Sequence, residues 1–408
     1  MRRSATGGLG AQAIRRALAP ESIAFLMLQV VRQWWPILIA VSLIQIGNGL
    51  SGTLFSLGVD ARGLGGWQTG LILSAFYAGS IAGPFLAPAL IKRIAHIATI
   101  MAFAVVAALS VAGLAATSDG LALAALRMGQ GVGYAGLYAT IESWLNLATE
   151  DRRRARVFAV YILVQLLGLA GGQFLINGRA LGEAALYLLA AALITLPALL
   201  LPLAPLKNPH FATAKSVGVF ALARRAPLGV AAVALAGFTW AAVNATGPVF
   251  AQRIGLDDWN KSLFMALPVL AGLVAQFPLG WLADHSERRF VLAGMGLAAV
   301  LLATAGAVVA PGAGLLIAMM GFGAMTFPLY AVAVALTNEV LSQHHRIAAS
   351  ASVVVYFGLG AMVAPTVTTM TMDLWGPSGF FWAQGLVAAV FAAAVVLSLI
   401  QLRRRRAP

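Results

Sequence analysis

The sequence predicts an all-α membrane protein of twelve transmembrane helices in two six-helix halves. Three observations predict it: an apolar composition, a regular succession of apolar stretches long enough to cross a bilayer, and a repeat that lays one half of the chain over the other. Of 408 residues, 61% are hydrophobic and 10% charged, against about 45–50% and about 25% in soluble domains. The mean hydropathy is +0.89. Such a chain is neither a water-soluble globular enzyme nor a disordered segment, which needs low hydrophobicity. It contains no cysteine, so disulfides, thiolate nucleophiles and cysteine-bound zinc or iron–sulfur clusters are excluded.

A hydrocarbon core about 30 Å thick needs about 20 apolar residues as a helix. Stretches of that kind lie at 36–57, 69–91, 97–116, 121–145, 157–177, 184–203, 228–250, 262–283, 290–309, 315–339, 348–371 and 380–402, numbered spans 1 to 12. The runs are continuous rather than alternating, which argues against a β-barrel. The expected organisation is an N-terminal cytoplasmic segment (1–35), a first six-helix bundle (36–203), a linker with Pro205 and Pro209 (204–227), a second bundle (228–402) and a basic tail (403–408). The N-terminal segment has no small-residue cleavage site behind a short apolar run, so no cleaved signal peptide is expected.

Net charge is +14, from 27 basic and 13 acidic residues. In a soluble protein that excess would suggest nucleic acid. Its distribution suggests topology instead. With the N-terminus in the cytoplasm, 22 basic residues fall inside and four outside: Arg62, Arg179, Arg253 and Lys261. Arg127 lies within span 4. Both termini are therefore expected in the cytoplasm of a multi-pass inner-membrane protein, with lipid as its surroundings and no nucleic-acid partner.

Sliding the chain by 192 residues aligns Trp67 with Trp259, Gly131 with Gly323, Tyr138 with Tyr330, Asn146 with Asn338 and Gly168 with Gly360. Two six-helix units that start on the same side form a parallel repeat, related by an axis along the membrane normal, with a site between them.

Span 4 carries Arg127, Gln130, Tyr134, Tyr138 and Glu142 at helical i, i+3, i+4 spacing. This stripe is too polar for lipid and should face the bundle interior. An intramembrane arginine costs ~3 kcal/mol or more and is a functional candidate. The competing reading is a packing residue satisfied by carbonyls. No acid lies at its depth, so Gln45, Asn48 and Gln130 are its expected partners, and an anionic or polar cargo is the expected consequence. Gln45 and Asn48 with Ser42, Trp240 and Asn244, and Gln165, Gln173, Gln276, Tyr330 and Tyr356 complete the candidate pathway lining. Lone polar side chains in spans also bond simply to neighbouring helices. Glu142 and Glu339 are the candidate proton-coupling groups, with an interfacial structural role as the alternative.

The loop after span 8 reads Gly280-Trp281-Leu282-Ala283-Asp284-His285-Ser286-Glu287-Arg288-Arg289. Gly280 suggests a tight helix approach, and Asp284 beside Arg288 and Arg289 suggests a conformational latch of charge-assisted hydrogen bonds. The loop resembles the major facilitator signature G-x-L-a-D-r-x-G-r-r, and Arg127-Met128-Gly129-Gln130-Gly131 is similar to that family's fourth-helix motif. With Ile141-Glu142-Ser143-Trp144, Gly168 to Gln173 and Phe327-Pro328-Leu329-Tyr330, the chain resembles the major facilitator superfamily over roughly 36–402, most closely a bacterial YcaD-like branch. The resemblance implies the major facilitator fold and a secondary transporter working by alternating access. Two positions depart from the family pattern: Lys92 replaces the acid of the first loop copy, and Leu169 replaces the proline of the antiporter motif.

No lysine stands in a phosphate-binding G-x-x-x-x-G-K-[ST] setting. The five histidines are expected in cytoplasmic loops, so no metal site, cofactor or enzymatic constellation is expected. The reading is a monomeric transporter of a small-molecule substrate, driven by protons and exporting its cargo. The alternative is a transport-inactive sensor or scaffold of the same fold. The missing cysteines permit a direct topology check. Single cysteines at Ser118, Ala184 and Ser378 should react with impermeant thiol reagents outside intact cells, and one at Ser216 should not. Labelling at Ser216 would reverse the orientation.

Overall fold

The computed structural model describes residues 20–203, 218–341 and 343–406. Among them there is no strand. Span 1 is a single helix, Pro20–Asp60. It runs straight through residue 36, so no boundary separates the expected N-terminal segment from the bundle over 20–35. Residues 1–19 lie outside the described residues, as does the linker over 204–217.

Spans 2 and 3 form one element, Gly66–Leu114, broken by a single residue, Ala95, at φ 62 and ψ 174. A side chain at positive φ costs roughly 1–3 kcal/mol and persists only where its surroundings impose it. This sharp corner replaces the expected loop. It also corrects the reading of His96, which is not in a loop but 1% exposed, its Nε2 3.3 Å from Ser143 Oγ of span 4. Span 4 is Gly120–Ala148, capped by Asp119, whose carboxylate accepts from the Ala122 N–H. Span 5 is Asp151–Gln173, prolonged by a tighter 3-10 segment, Phe174–Leu181. Span 6 is Glu183–Leu200.

A short helix, Val219–Arg225, leads into the second half. Span 7 has three parts: Pro227–Ala241, a π-turn over Ala242–Thr246, and Gly247–Arg253. Span 8 is Asp258–His285 and span 9 Arg288–Val308. Span 10 is split into Ala313–Thr326 and Leu329–Glu339 around Pro328, which has no N–H to continue the helical ladder. Span 11 is Gln343–Trp375. Span 12, Gly379–Arg406, continues through residues 403–406, which are therefore helix rather than a separate tail. Ten of the described helices are long and apolar enough to cross a membrane. One of them, Gly66–Leu114, crosses twice about Ala95, and Gly120–Ala148 completes the twelve.

Lys92, Arg93, Arg152, Arg153, Arg154, Arg156, Arg224, Arg225, Arg288 and Arg289 stand at the same ends of their spans. That side is the basic end of the bundle, and the side holding Asp60, Gly66 and Arg253 is the far end.

The sequence repeat is visible as packing. A Cβ on Gly131 would strike the carbonyl oxygen of Phe76, and one on Gly323 would strike Pro268. Positions 76 and 268 are themselves 192 apart. Likewise Gly168 sits against the Ser42 carbonyl and Gly360 against the Ala234 carbonyl, again 192 apart. Spans 2 and 4 therefore meet as spans 8 and 10 do, and spans 1 and 5 as spans 7 and 11. Lipid offers no hydrophobic force between helices, so such backbone approach through glycine is a main source of cohesion.

Gly171, by contrast, has nothing within 4 Å of a built Cβ. Gly168→Ala and Gly360→Ala should each destabilise by roughly 1–3 kcal/mol through overpacking. Gly171→Ala should hold or slightly raise the unfolding temperature of the purified protein, since alanine is the better helix former. Equal temperatures for all three would remove the close-approach account.

Candidate functional site

Two cavities lie between the halves. The smaller, about 60 Å³, is bounded by Asn48, Thr53, Tyr77, Arg127, Gln173, Trp240 and Asn244. The larger chamber, about 380 Å³, is bounded by Glu142, Leu166, Trp240, Gln276, Phe327, Tyr330 and Phe357. Both draw side chains from the two halves, and Trp240 is a wall of each. Asn48 and Trp240 are mates across the repeat, 192 apart.

Local irregularity positions this wall. The π-turn after Trp240 widens span 7, and the Asn244 amide donates back to the Trp240 carbonyl at 2.9 Å. Across the chamber, the break at Pro328 presents Phe327, whose ring centroid is 4.8 Å from that of Trp240. Discontinuous helices near mid-membrane are a recurrent way to build transporter sites, because they free groups that a regular helix would use internally.

Arg127 is 3% exposed. Its Nη1 donates to Gln130 Oε1 at 2.6 Å, and Gln130 Nε2 donates to Ser51 Oγ at 3.0 Å. The guanidinium carbon lies over two phenyl rings, 4.7 Å from the Phe55 centroid and 4.8 Å from that of Phe76. Cation–π contact of this kind is worth up to ~2 kcal/mol when desolvated. The rings partly replace the counter-ion that the span lacks. Nε keeps no partner among the described residues.

The other candidate residues are dispersed. Asn48 lines the small cavity and donates to Gln45 Oε1 at 3.0 Å. Gln45 is buried and is not among the residues bounding either cavity, nor is Gln130. Tyr134 and Tyr138 stack on each other at 6.2 Å, their hydroxyls buried without partners among the described residues. Glu142 reaches the chamber, and the Tyr161 hydroxyl donates to it at 3.4 Å while accepting from Gln165 Nε2 at 2.7 Å. Tyr356 does not line the chamber. Its hydroxyl donates to the Val219 carbonyl at 3.0 Å, tying span 11 to the short helix before span 7.

Glu339 stands apart from the chamber and accepts from Arg288, which also pairs with Asp284 at 3.2 Å. Arg289 takes no part in this cluster and donates to Ser398 Oγ at 2.9 Å. Gly280 has open space around it, contrary to the expected tight approach.

At the far end the halves are bolted together by charges whose place in the sequence marks only topology. Arg253 donates through Nε and Nη2 to Asp60 Oδ1, at 3.1 and 2.9 Å, and through Nη1 to Asp373 Oδ1 at 2.9 Å. Asp373 also accepts from the Gly66 N–H, and Thr369 Oγ1 donates to the Gly66 carbonyl at 2.6 Å. Arg179 pairs with Asp258 at 3.5 Å, and Asn177 Nδ2 donates to Ser262 Oγ at 3.1 Å. The signal available in the sequence was that each of these basic residues of the charge-poor side has an acid at the matching end of another span.

The twelve-helix bundle with cavities on the axis between its halves defines a polytopic membrane carrier. The chain matches the Major Facilitator Superfamily over residues 37–272 and 260–408, and it belongs to that family. It is 26% identical to an uncharacterized MFS-type transporter, YcaD, of Escherichia fergusonii, over 90% of this chain and 95% of that protein. It is 27% identical to an uncharacterized MFS-type transporter of Enterobacter sp. (strain 638), over 87% of this chain and 93% of that protein. Among solved structures it resembles a point mutant of the nucleoside transporter NupG, with a TM-score of 0.76 at 15% identity, covering 91% of this chain and 99% of that one. It also resembles a point mutant of the E. coli fucose:proton symporter FucP, with a TM-score of 0.58 at 18% identity, covering 90% and 98%.

If the Arg253 cluster holds the far end shut, Arg253→Gln should open it. Ser74 is buried and lies 3.1 Å from Thr366 across the halves. A cysteine at Ser74 should react with a maleimide at least several-fold faster in the Arg253→Gln background. Unchanged reactivity would make the cluster a surface decoration.

Proposed function

We propose that the protein is a proton-coupled secondary transporter that exports a small solute across the bacterial inner membrane by alternating access. The basic end faces the cytoplasm and both termini lie there, as the charge split suggests. The observation that carries this reading is a pair of axial cavities between halves whose far ends are tied by Arg253. A chamber that reaches Glu142, near the basic end of span 4, loads from the cytoplasm, which supports export.

Glu142 is the coupling group in this reading. It is the acid among the chamber's lining residues, and its Tyr161–Gln165 chain supplies hydrogen bonds for proton exchange. The ion-pair cluster of Asp284, Arg288 and Glu339 joins the basic ends of spans 8, 9 and 10. It acts as a brace that lets the second half rock as one body. The protein works as a monomer in lipid.

The experiment is reconstitution in proteoliposomes with an imposed pH gradient. Solutes are chosen by a thermal-shift screen, since ligand binding to the folded state raises apparent stability. Wild-type protein should drive uphill movement of a hit. Glu142→Gln should lose at least ten-fold of gradient-driven transport yet keep solute counterflow. Undiminished uphill transport by Glu142→Gln would end the coupling assignment.

A further inference from the structure

Arg127 is a buried cation whose Nε is unpaired among the described residues. The guanidinium carbon lies over the Phe55 and Phe76 rings, and Gln130 takes Nη1. Among the described residues, Nε is buried without an acceptor, and the hydrogen bond to Gln130 leaves from Nη1 rather than Nη2. In a guanidinium Nε and Nη2 lie on the same side and donate in parallel, the fork that holds a carboxylate through two hydrogen bonds. Arg127 also bounds the small cavity, whose other polar walls, Asn48, Thr53, Gln173 and Asn244, carry no charge.

No acid of the same helix can neutralise it. Asp119 caps the helix about 12 Å away along its axis, and Glu142 lies about 22 Å away in the other direction, at about 1.5 Å per residue. A buried cation of this kind calls for a counter-charge, and the unpaired Nε edge is where a ligand would bring one.

Size and polarity narrow the ligand. The cavity beside Arg127, about 60 Å³, is much the smaller of the two and suits a compact polar group such as a carboxylate. The rest of the ligand then lies beyond Trp240, in the chamber of about 380 Å³ walled by Leu166, Phe327, Tyr330 and Phe357. That wall suits an apolar or aromatic body. Glu142 at the chamber's other end disfavours a second negative charge.

We infer that the cargo is a monocarboxylate with an apolar or aromatic body, its carboxylate seated on the Nε–Nη2 fork of Arg127 and its body against Trp240 and Phe327. Rotation of Trp240, the wall shared by the two cavities, admits the carboxylate. The assignment rests on the transport reading for its biological meaning, and the test separates the two.

The full-length protein in nanodiscs is titrated with 3-phenylpropionate, 4-methylpentanoate, 3-phenylpropionamide and phenylsuccinate. The acid should bind and raise the unfolding temperature, with the neutral amide and the dicarboxylate at least ten-fold weaker. Arg127→Gln should weaken the acid at least ten-fold and leave the amide unchanged. Arg127→Lys should not restore it, because the charge remains but the fork is lost. If either variant fails to fold, the wild-type comparison of acid with amide decides alone. Equal binding of acid and amide, or no binding of either 3-phenylpropionate or 4-methylpentanoate, overturns the inference. Acid that binds but is not moved in proteoliposomes would sink the transport reading and leave the carboxylate site. Flux of another solute without acid binding would do the reverse.

Discussion

Everything in this bundle depends on how closely helix backbones can approach. In water a core forms because apolar surface leaves solvent, but in lipid the surroundings are already apolar. Cohesion then comes from contact itself. Gly131 against Phe76 and Gly323 against Pro268 join spans 2 and 4 and spans 8 and 10. Gly168 and Gly360 do the same for spans 1 and 5 and spans 7 and 11. Each pair is one copy of a repeated joint. The joints hold the helices of each half in close backbone contact.

Against that regular frame, the exceptions gather on the axis. The π-turn of span 7, the break at Pro328 and the unpaired edge of Arg127 all border the same two cavities. Each is unfavourable in isolation. A π-turn loosens the hydrogen-bond ladder, a proline removes a donor, and a cation in hydrocarbon lacks a counter-ion. Their convergence is what distinguishes a site from a scatter of local faults, since regular helices would have closed the space that Trp240 and Phe327 now border.

The fold was legible because its determinants are one-dimensional. Span length follows from bilayer thickness, and the repeat follows from matching positions 192 apart. Arg127 was legible for a related reason, because a charge among apolar residues stands out in any window. Its partners were only half legible. Gln130 lies one turn away on the same helix and was expected. Phe55 and Phe76 come from spans 1 and 2, and nothing in an apolar run distinguishes a phenylalanine that faces lipid from one that covers a guanidinium. Ala95 was invisible as well, since alanine carries no sign of positive φ, and His96 was misplaced with it. The far-end cluster was hidden because Arg253 is 193 residues from Asp60 and 120 from Asp373, and charges near span ends read first as topology.

The repeat is exact enough to show where the halves differ in chemistry. Arg127 has Met319 as its mate, Gln130 has Phe322, and Glu142 has Val334. One half supplies the charged side chains of the axis and the other supplies apolar and aromatic surface. The far-end lock follows the same logic with the roles exchanged: Asp60 of the first half meets an arginine of the second, and the mate of Asp60 is the neutral Gln252. Because the repeat axis runs along the membrane normal, mates lie at the same end of the bundle, and the two ends are not equivalent to each other. Their ionic contacts differ accordingly: those at the far end span the halves, whereas the basic-end cluster of Asp284, Arg288 and Glu339 stays within the second half.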